Sequence, residues 1–204
     1  MDLSTVTLHG RVVRLEPLGP HHMTGLCEVG LEPSLWALTS NRVSSEADMK
    51  AYVEAALADQ RAGTSLPFAT VERASGRVIG STRFGNAVPA HRRIEIGWTW
   101  VGPPWQRTAV NTEAKLLMLR HAFETLGCRR VELKTSAVNA RSRAAMRRIG
   151  ATEEGTLRQH MINPDGSSRD SVYYSILDGE WPGVRERLEG MLAAPSTAPG
   201  ASKD

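Results

Sequence analysis

The chain has 204 residues, 41% hydrophobic and 23% charged, which suits one domain with a buried core better than two. Its net charge is only +3, with a pI near 9.1, so charge alone does not point to nucleic acid or an anionic membrane as a partner. The two cysteines, Cys27 and Cys128, stand in no metal-ligand spacing and make no disulfide framework, as expected of thiols in a reducing cytoplasm.

The N-terminal segment lacks an apolar stretch of about 7–15 residues, so it does not read as a signal peptide. No run of about 18 apolar residues occurs. The expected location is therefore cytoplasmic, with no membrane partner, and no His/Cys/Asp cluster has the spacing of a metal site.

In chain order, Thr7 to Pro17 reads as a first strand, broken by Gly19-Pro20. His21 to Leu31 is a short helix. Ser44-Ser45-Glu46 starts a second helix, and Ala47 to Arg61 places Met49, Tyr52, Val53, Ala56 and Leu57 at helical spacing. Ser65 to Glu72 and Arg77 to Phe84 read as strands joined by the turn Arg73-Ala74-Ser75-Gly76. Arg92 to Val101 is a fourth strand, ended by Gly102-Pro103-Pro104. A helix from Thr112 to Leu126 stops at Gly127. Arg130 to Thr135 alternates as a fifth strand, and Asn139 to Ile149 is a helix stopped by Gly150. Two more strands, Glu154 to Ile162 and Arg169 to Leu177, flank the turn Asn163-Pro164-Asp165-Gly166. Trp181 to Leu192 is a last helix, and the tail 193–204 reads as disordered.

This order predicts an α+β fold in one domain over 1–192. About seven strands form a mixed, mostly antiparallel sheet, with helices on its faces. A helix joins the fourth and fifth strands, which makes that pair parallel.

The segment GPPWQRTAVNTEAK, Gly102 to Lys115, lies between a strand and a long helix. Asn111 or Thr112 is the expected cap, with Glu113 in the first turn. The free N–H groups of residues 107 to 112, with the positive end of the helix dipole, form an anion site suited to a diphosphate, and Arg107 adds a charge. Neither GxGxxG nor GxxxxGK[ST] is present, so neither nucleotide-binding signature is supported. Taken alone, the segment also fits an ordinary capped loop.

EIGWTWV (95–101), WQRTAVNTEAKLLMLRHAFETLG (105–127) and RRVELKTSAVNARSRAAMRRIGA (129–151) together resemble the GNAT acetyltransferases. In that family a strand, a diphosphate loop and a helix are followed by a strand and a helix beginning N-x-x-[AS]. The resemblance covers about Leu8 to Leu192. It is nearest to the RimJ/RimL-like branch of ribosomal-protein N-terminal acetyltransferases, through Arg169-Asp170 and Glu180-Trp181-Pro182.

It implies that the fourth and fifth strands splay apart, and that the pantetheine arm of acetyl-CoA pairs with the main chain of Thr99, Trp100 and Val101 in the gap. The diphosphate is implied to sit on Arg107, Thr108, Ala109, Val110, Asn111 and Thr112. Asn139 would hold a pantetheine amide, and Ser142 would face the thioester. No metal is implied.

The chain departs from the family pattern twice. Ala109 and Asn111 replace small or glycine positions of the loop, with Asn111 expected to bear a positive φ. Met146 stands where many members carry an acid tyrosine. Ser142, one turn earlier on the same helix face, is the implied substitute for protonating the leaving thiolate.

The expected reaction is attack of a neutral amine on the thioester, with strand amides stabilising the oxyanion and Glu95 as the candidate base. Glu95 can equally be an ion-paired residue. His91, His121 and His160 are weaker candidates for the base, and His121 reads as packing. Trp98, Trp100 and Trp105 can wall the cleft or pack, with packing favoured for Trp98. Of Arg141, Arg143, Arg147 and Arg148, one can meet the 3′-phosphate of CoA. The acceptor expected from the resemblance is a protein N-terminal α-amine. A small-molecule amine, such as an antibiotic or polyamine, is the alternative, and a non-catalytic CoA-binding module is a further one. A second copy of the chain is a further expected partner, as a homodimer.

Overall fold

The computed structural model describes residues 1–194; of the expected tail, residues 195–204 lie outside the described residues. Eight strands form one sheet in the order β1-β2-β3-β4-β5-β6-β8-β7. They are β1 (Leu8–His9), β2 (Val13–Pro17), β3 (Leu66–Glu72), β4 (Val78–Val88), β5 (Arg93–Val101), β6 (Arg130–Ser136), β7 (Thr152–Ile162) and β8 (Ser168–Leu177). The helices are α1 (Met23–Gly30), α2 (Glu46–Arg61), α3 (Ala109–Arg120), α4 (Ala140–Arg148) and α5 (Trp181–Ala193). The sheet is mixed and mostly antiparallel, and β5–β6 is parallel.

The expected first strand is instead a hairpin, which raises the count to eight. Gly10 N–H donates to the Val13 carbonyl at 2.9 Å to close the turn. The amides of Arg11, Val12 and Val13 all donate to the Glu113 carboxylate, at 2.8, 2.6 and 2.7 Å. A buried acid from a distant helix thus holds a turn that the alternation of residues 7–17 did not announce. The expected last strand and helix appear close to their forecast ends, except that α5 takes in Ala193.

The two sheet faces are covered differently. Val13, Phe68, Phe84, Ile94, Ile96, Val131, Leu133 and Tyr174 pack against α3 and α5 in one apolar cluster. On the other face, α1 and α2 pack Leu26, Met49, Tyr52 and Val53 over Ala69 and Trp100. Ser45 caps α2 by accepting the Asp48 amide, as the Ser-Ser-Glu start predicts.

Candidate functional site

The parallel pair β5–β6 is joined only at Arg93–Arg130, Ile94–Val131 and Glu95–Glu132. Beyond these residues, β6 continues paired only with β8, through Ser136. β5 continues paired only with β4, through Val101. The two strands therefore part, as the resemblance implies. The cause lies in β5 itself. Ser81 opposes Trp100 and Arg83 opposes Gly97, so Trp98 and Thr99 together face one residue of β4. Trp98 has φ +51°, a conformation that an aromatic residue rarely adopts. Such a bulge bends and twists the strand that carries it, and this one turns the end of β5 away from β6.

The helix after β5 begins earlier than its sequence suggests. Thr108, not Asn111 or Thr112, is the N-cap: its hydroxyl oxygen accepts the Val110 amide at 3.3 Å, and the same hydroxyl donates to the Trp105 carbonyl at 2.7 Å. Asn111 is helical, and the positive φ falls on Arg107, at +61°. Ala109, Val110, Asn111 and Thr112 thus form the first turn, the part of a helix whose amides lack partners within it. Glu113 follows in the second turn, and its charge is spent on the β1–β2 hairpin rather than at the cap. Gln106 latches the loop, donating to the Val101 carbonyl at 2.8 Å and accepting from Arg141 at 2.7 Å.

Asn139 caps α4, its Oδ1 accepting the Ser142 amide at 3.0 Å. Helix periodicity stacks Ser142 and Met146 on one face. The neighbouring arginines are engaged. Arg143 and Arg147 pair with Glu153 at 3.4 and 2.6 Å, and Arg148 donates to the Thr112 hydroxyl at 3.2 Å. Arg148 therefore links α4 to the first turn of α3.

Glu95 faces away from Ile94 and Ile96, as its place in the strand predicts, and is 3% exposed. Its Oε2 accepts from Asn86 Nδ2 at 2.8 Å and from Lys134 Nζ at 3.1 Å. Its Oε1 lies over Gly97, 2.8 Å from where a β-carbon would stand. Arg93 pairs with Glu132 instead. Lys134 also faces the ring of Tyr173, whose hydroxyl lies 3.4 Å from His160 Nε2. His91 is exposed. His121 packs on Phe84, and burial lowers its pKa.

The tryptophans divide differently from expectation. Trp100 is the buried one, packed with Trp36. Trp98 lies partly open over Gly85 and Arg83. Trp105 donates to Glu72 at 2.7 Å.

Four basic side chains are buried or paired in ways that the sequence does not announce. Lys115 is 7% exposed, and its ammonium donates to the Thr99 hydroxyl at 2.8 Å. No carboxylate lies within 4.0 Å of it among the described residues, and burial pulls its pKa down to about 7. Arg83 is 3% exposed and lies over the rings of Tyr52 and Trp98. Arg169, at the far end of β8, is buried with Nε and Nη1 unpartnered. Lys134 alone had a usable signal, because it shares a strand face with Glu132, which stands beside Glu95 in the parallel pair.

Glu16, His21 and His22 bring ligand atoms within 4.8 Å of one another, far along the sheet from this split. The Gly19 amide donates to His22 Nδ1 at 3.1 Å, which leaves the ring proton on Nε2, pointing at Glu16. Arg14 also binds that carboxylate. A proton and a guanidinium occupy the positions a cation needs. No described helix is long and apolar enough to cross a membrane.

The profile of the acetyltransferase (GNAT) domain matches residues 13–152. The chain belongs to that family. Among relatives, the Bacillus subtilis protein named "Putative ribosomal N-acetyltransferase YdaF" is 34% identical over 110 residues, 54% of this chain and 59% of that one. The match thus spans about six-tenths of that relative. A GCN5-related N-acetyltransferase from Brucella melitensis is 32% identical with TM-score 0.86, over 93% of this chain and 86% of that one. RimJ of Mycobacterium smegmatis, solved with CoA-disulfide, shares the fold at TM-score 0.79 and 24% identity, over 93% and 96% of the two chains.

Proposed function

We propose that the chain, as a single domain over 1–192, transfers an acetyl group from acetyl-CoA to a primary amine in a ternary complex. The observation that carries this reading is the parting of β5 and β6 after Glu95 and Glu132. It opens a slot whose β5 rim has main-chain groups free of a β6 partner, and whose end meets the first turn of α3. In this reading Thr99, Trp100 and Val101 pair with the pantetheine arm. Arg107 and the amides of Thr108 to Thr112 hold the diphosphate. The Nδ2 of Asn139, whose Oδ1 is already committed to the cap, donates to a pantetheine carbonyl.

The acceptor ammonium meets Glu95 Oε1, the oxygen left by Asn86 and Lys134. Glu95 removes one proton from the ammonium, and the neutral amine nitrogen attacks the thioester carbon. The C–S bond breaks, Ser142 passes its proton to the departing thiolate, and the Ser142 oxygen regains one from the nitrogen, which sheds its extra proton as the amide forms.

The acceptor is a protein N-terminal α-amine in the leading form of this reading, in line with the name of the Bacillus relative. This reading places the work in the cytoplasm.

The test is release of free thiol from acetyl-CoA with purified protein and a panel of peptide and small-molecule amines. Turnover with at least one amine, abolished by Glu95→Gln, is the expected result. Tight CoA binding with no turnover on any amine would instead identify a CoA-binding module.

A further inference from the structure

We propose that Arg83 is a specificity-determining residue of the acceptor site, and that it selects acceptors carrying a carboxylate close to the amine. The inference rests on the acetyl-transfer reading above and adds the chemistry of the acceptor to it.

The Arg83 guanidinium lacks the partners its burial calls for. Arg83 stands in the middle of β4 on the face opposite α3, since its neighbours Thr82 and Phe84 turn to the other side, toward Met118 and the main core. Its Nε is buried and makes no hydrogen bond. The carboxylate nearest to it is that of Asp59, at 3.7 Å, on a side chain 55% exposed. That separation is too long for a hydrogen bond. The guanidinium lies over Tyr52 at 4.7 Å and Trp98 at 5.1 Å from their ring centres. The rings hold the cation without engaging its N–H donors as carboxylate oxygens would, and the planar fork of donors suits a carboxylate.

Its place in the sheet supplies the second half. Arg83 is registered opposite Gly97. Glu95 Oε1 lies over that same Gly97, because the glycine has no side chain to fill the space. No nitrogen of Arg83 comes within 4.0 Å of Glu95 among the ion pairs of the described residues. An anionic oxygen and an incompletely paired guanidinium therefore flank one small residue, beside the strained Trp98 at the mouth of the slot, and they do not satisfy each other. A dipolar acceptor would satisfy both, with its ammonium on Glu95 and its carboxylate on Arg83. A polyamine would bring a second ammonium group against Arg83 and be repelled.

The carboxylate can be that of a free amino acid or that of an acidic side chain at a peptide N-terminus. Two acceptor series separate these sources. One compares free α-amino acids with their decarboxylated amines. The other compares peptides beginning Ser-Asp with peptides beginning Ser-Asn. At least one series should show a tenfold or larger preference in kcat/KM for the carboxylate. Arg83→Gln should erase that preference while the KM for acetyl-CoA holds, and Arg83→Lys should keep part of it.

A role limited to packing predicts a different pattern, in which Arg83→Gln lowers all acceptors alike or lowers Tm without changing the ratio. Either outcome, or equal rates within both wild-type series, overturns the proposal. Should Arg83→Gln not fold, simple carboxylates without an amine remain a test on the wild type: competitive inhibition against the amine is expected, and no inhibition overturns it. Failure of every amine to react defeats the acetyl-transfer reading itself, a result distinct from turnover without preference.

Discussion

The two halves of β5 differ more than their sequence does. From Arg93 to Glu95 the strand is paired on both sides, and Ile94 is fully buried. From Gly97 to Val101 it is paired on one side only, bent at Trp98, and Thr99 is exposed. The first half spends its main-chain groups on the fold and the second withholds them. One strand thus serves as core and as open edge, and a single bulge marks the border.

That contrast can be attacked from either half. The largest effect is expected at the border: Glu95→Gln should lower kcat by about 100-fold or more, the usual range for a general base, with the fold intact by circular dichroism. A variant as active as wild type would remove Glu95 from the chemistry. In the closed half, Ile94→Ala should destabilise by about 2–5 kcal/mol, the range for truncating a buried aliphatic chain, read by urea unfolding. On α4, Ser142→Ala should lower turnover about tenfold while CoA affinity by calorimetry stays the same. An equal fall in affinity would make it a binding residue only. Asn139→Ala should weaken CoA binding and also cost about 1 kcal/mol through loss of a helix cap.

Lys115 sharpens the contrast by pH. Its folded pKa is about 7 against an ordinary value of 10.5, so between these values the unfolded chain binds more protons than the folded one. Stability therefore rises with pH across that window, and the full penalty is present below it. Lys115→Met should raise Tm most at pH 6 and least near pH 10. A shift of equal size at both values would show that the buried amine carries no electrostatic cost. Because that amine holds Thr99 on the open half of β5, the variant should also raise the KM for acetyl-CoA.

The sheet, the parallel pair and both slot-lining helices were legible because their signals are local. Gly127 and Gly150 end helices, Pro103-Pro104 end a strand, and Asn139 caps where its motif places it. The early start of α3 was not legible: Thr108 and Asn111 are both good caps, and only the turn at Arg107 decides between them. Nor were Arg83 and Lys115. Each sits where periodicity expects an apolar residue or a solvated one, and the surroundings that make it unusual come from strands and helices distant in the chain. The split itself was inferred from resemblance, since in EIGWTWV the strained position falls on Trp98 and not on the adjacent Gly97, where a positive φ would be expected.

Glu113 ties the start of α3 to the backbone of residues 11–13. The turn proposed to cradle the diphosphate is thereby moored to β2, on the far side of β3 and β4 from β5. Loosening that mooring, by Glu113→Gln or by lengthening the Gly10 turn, should let the cradle drift and weaken its grip on phosphate without touching a single group that meets it.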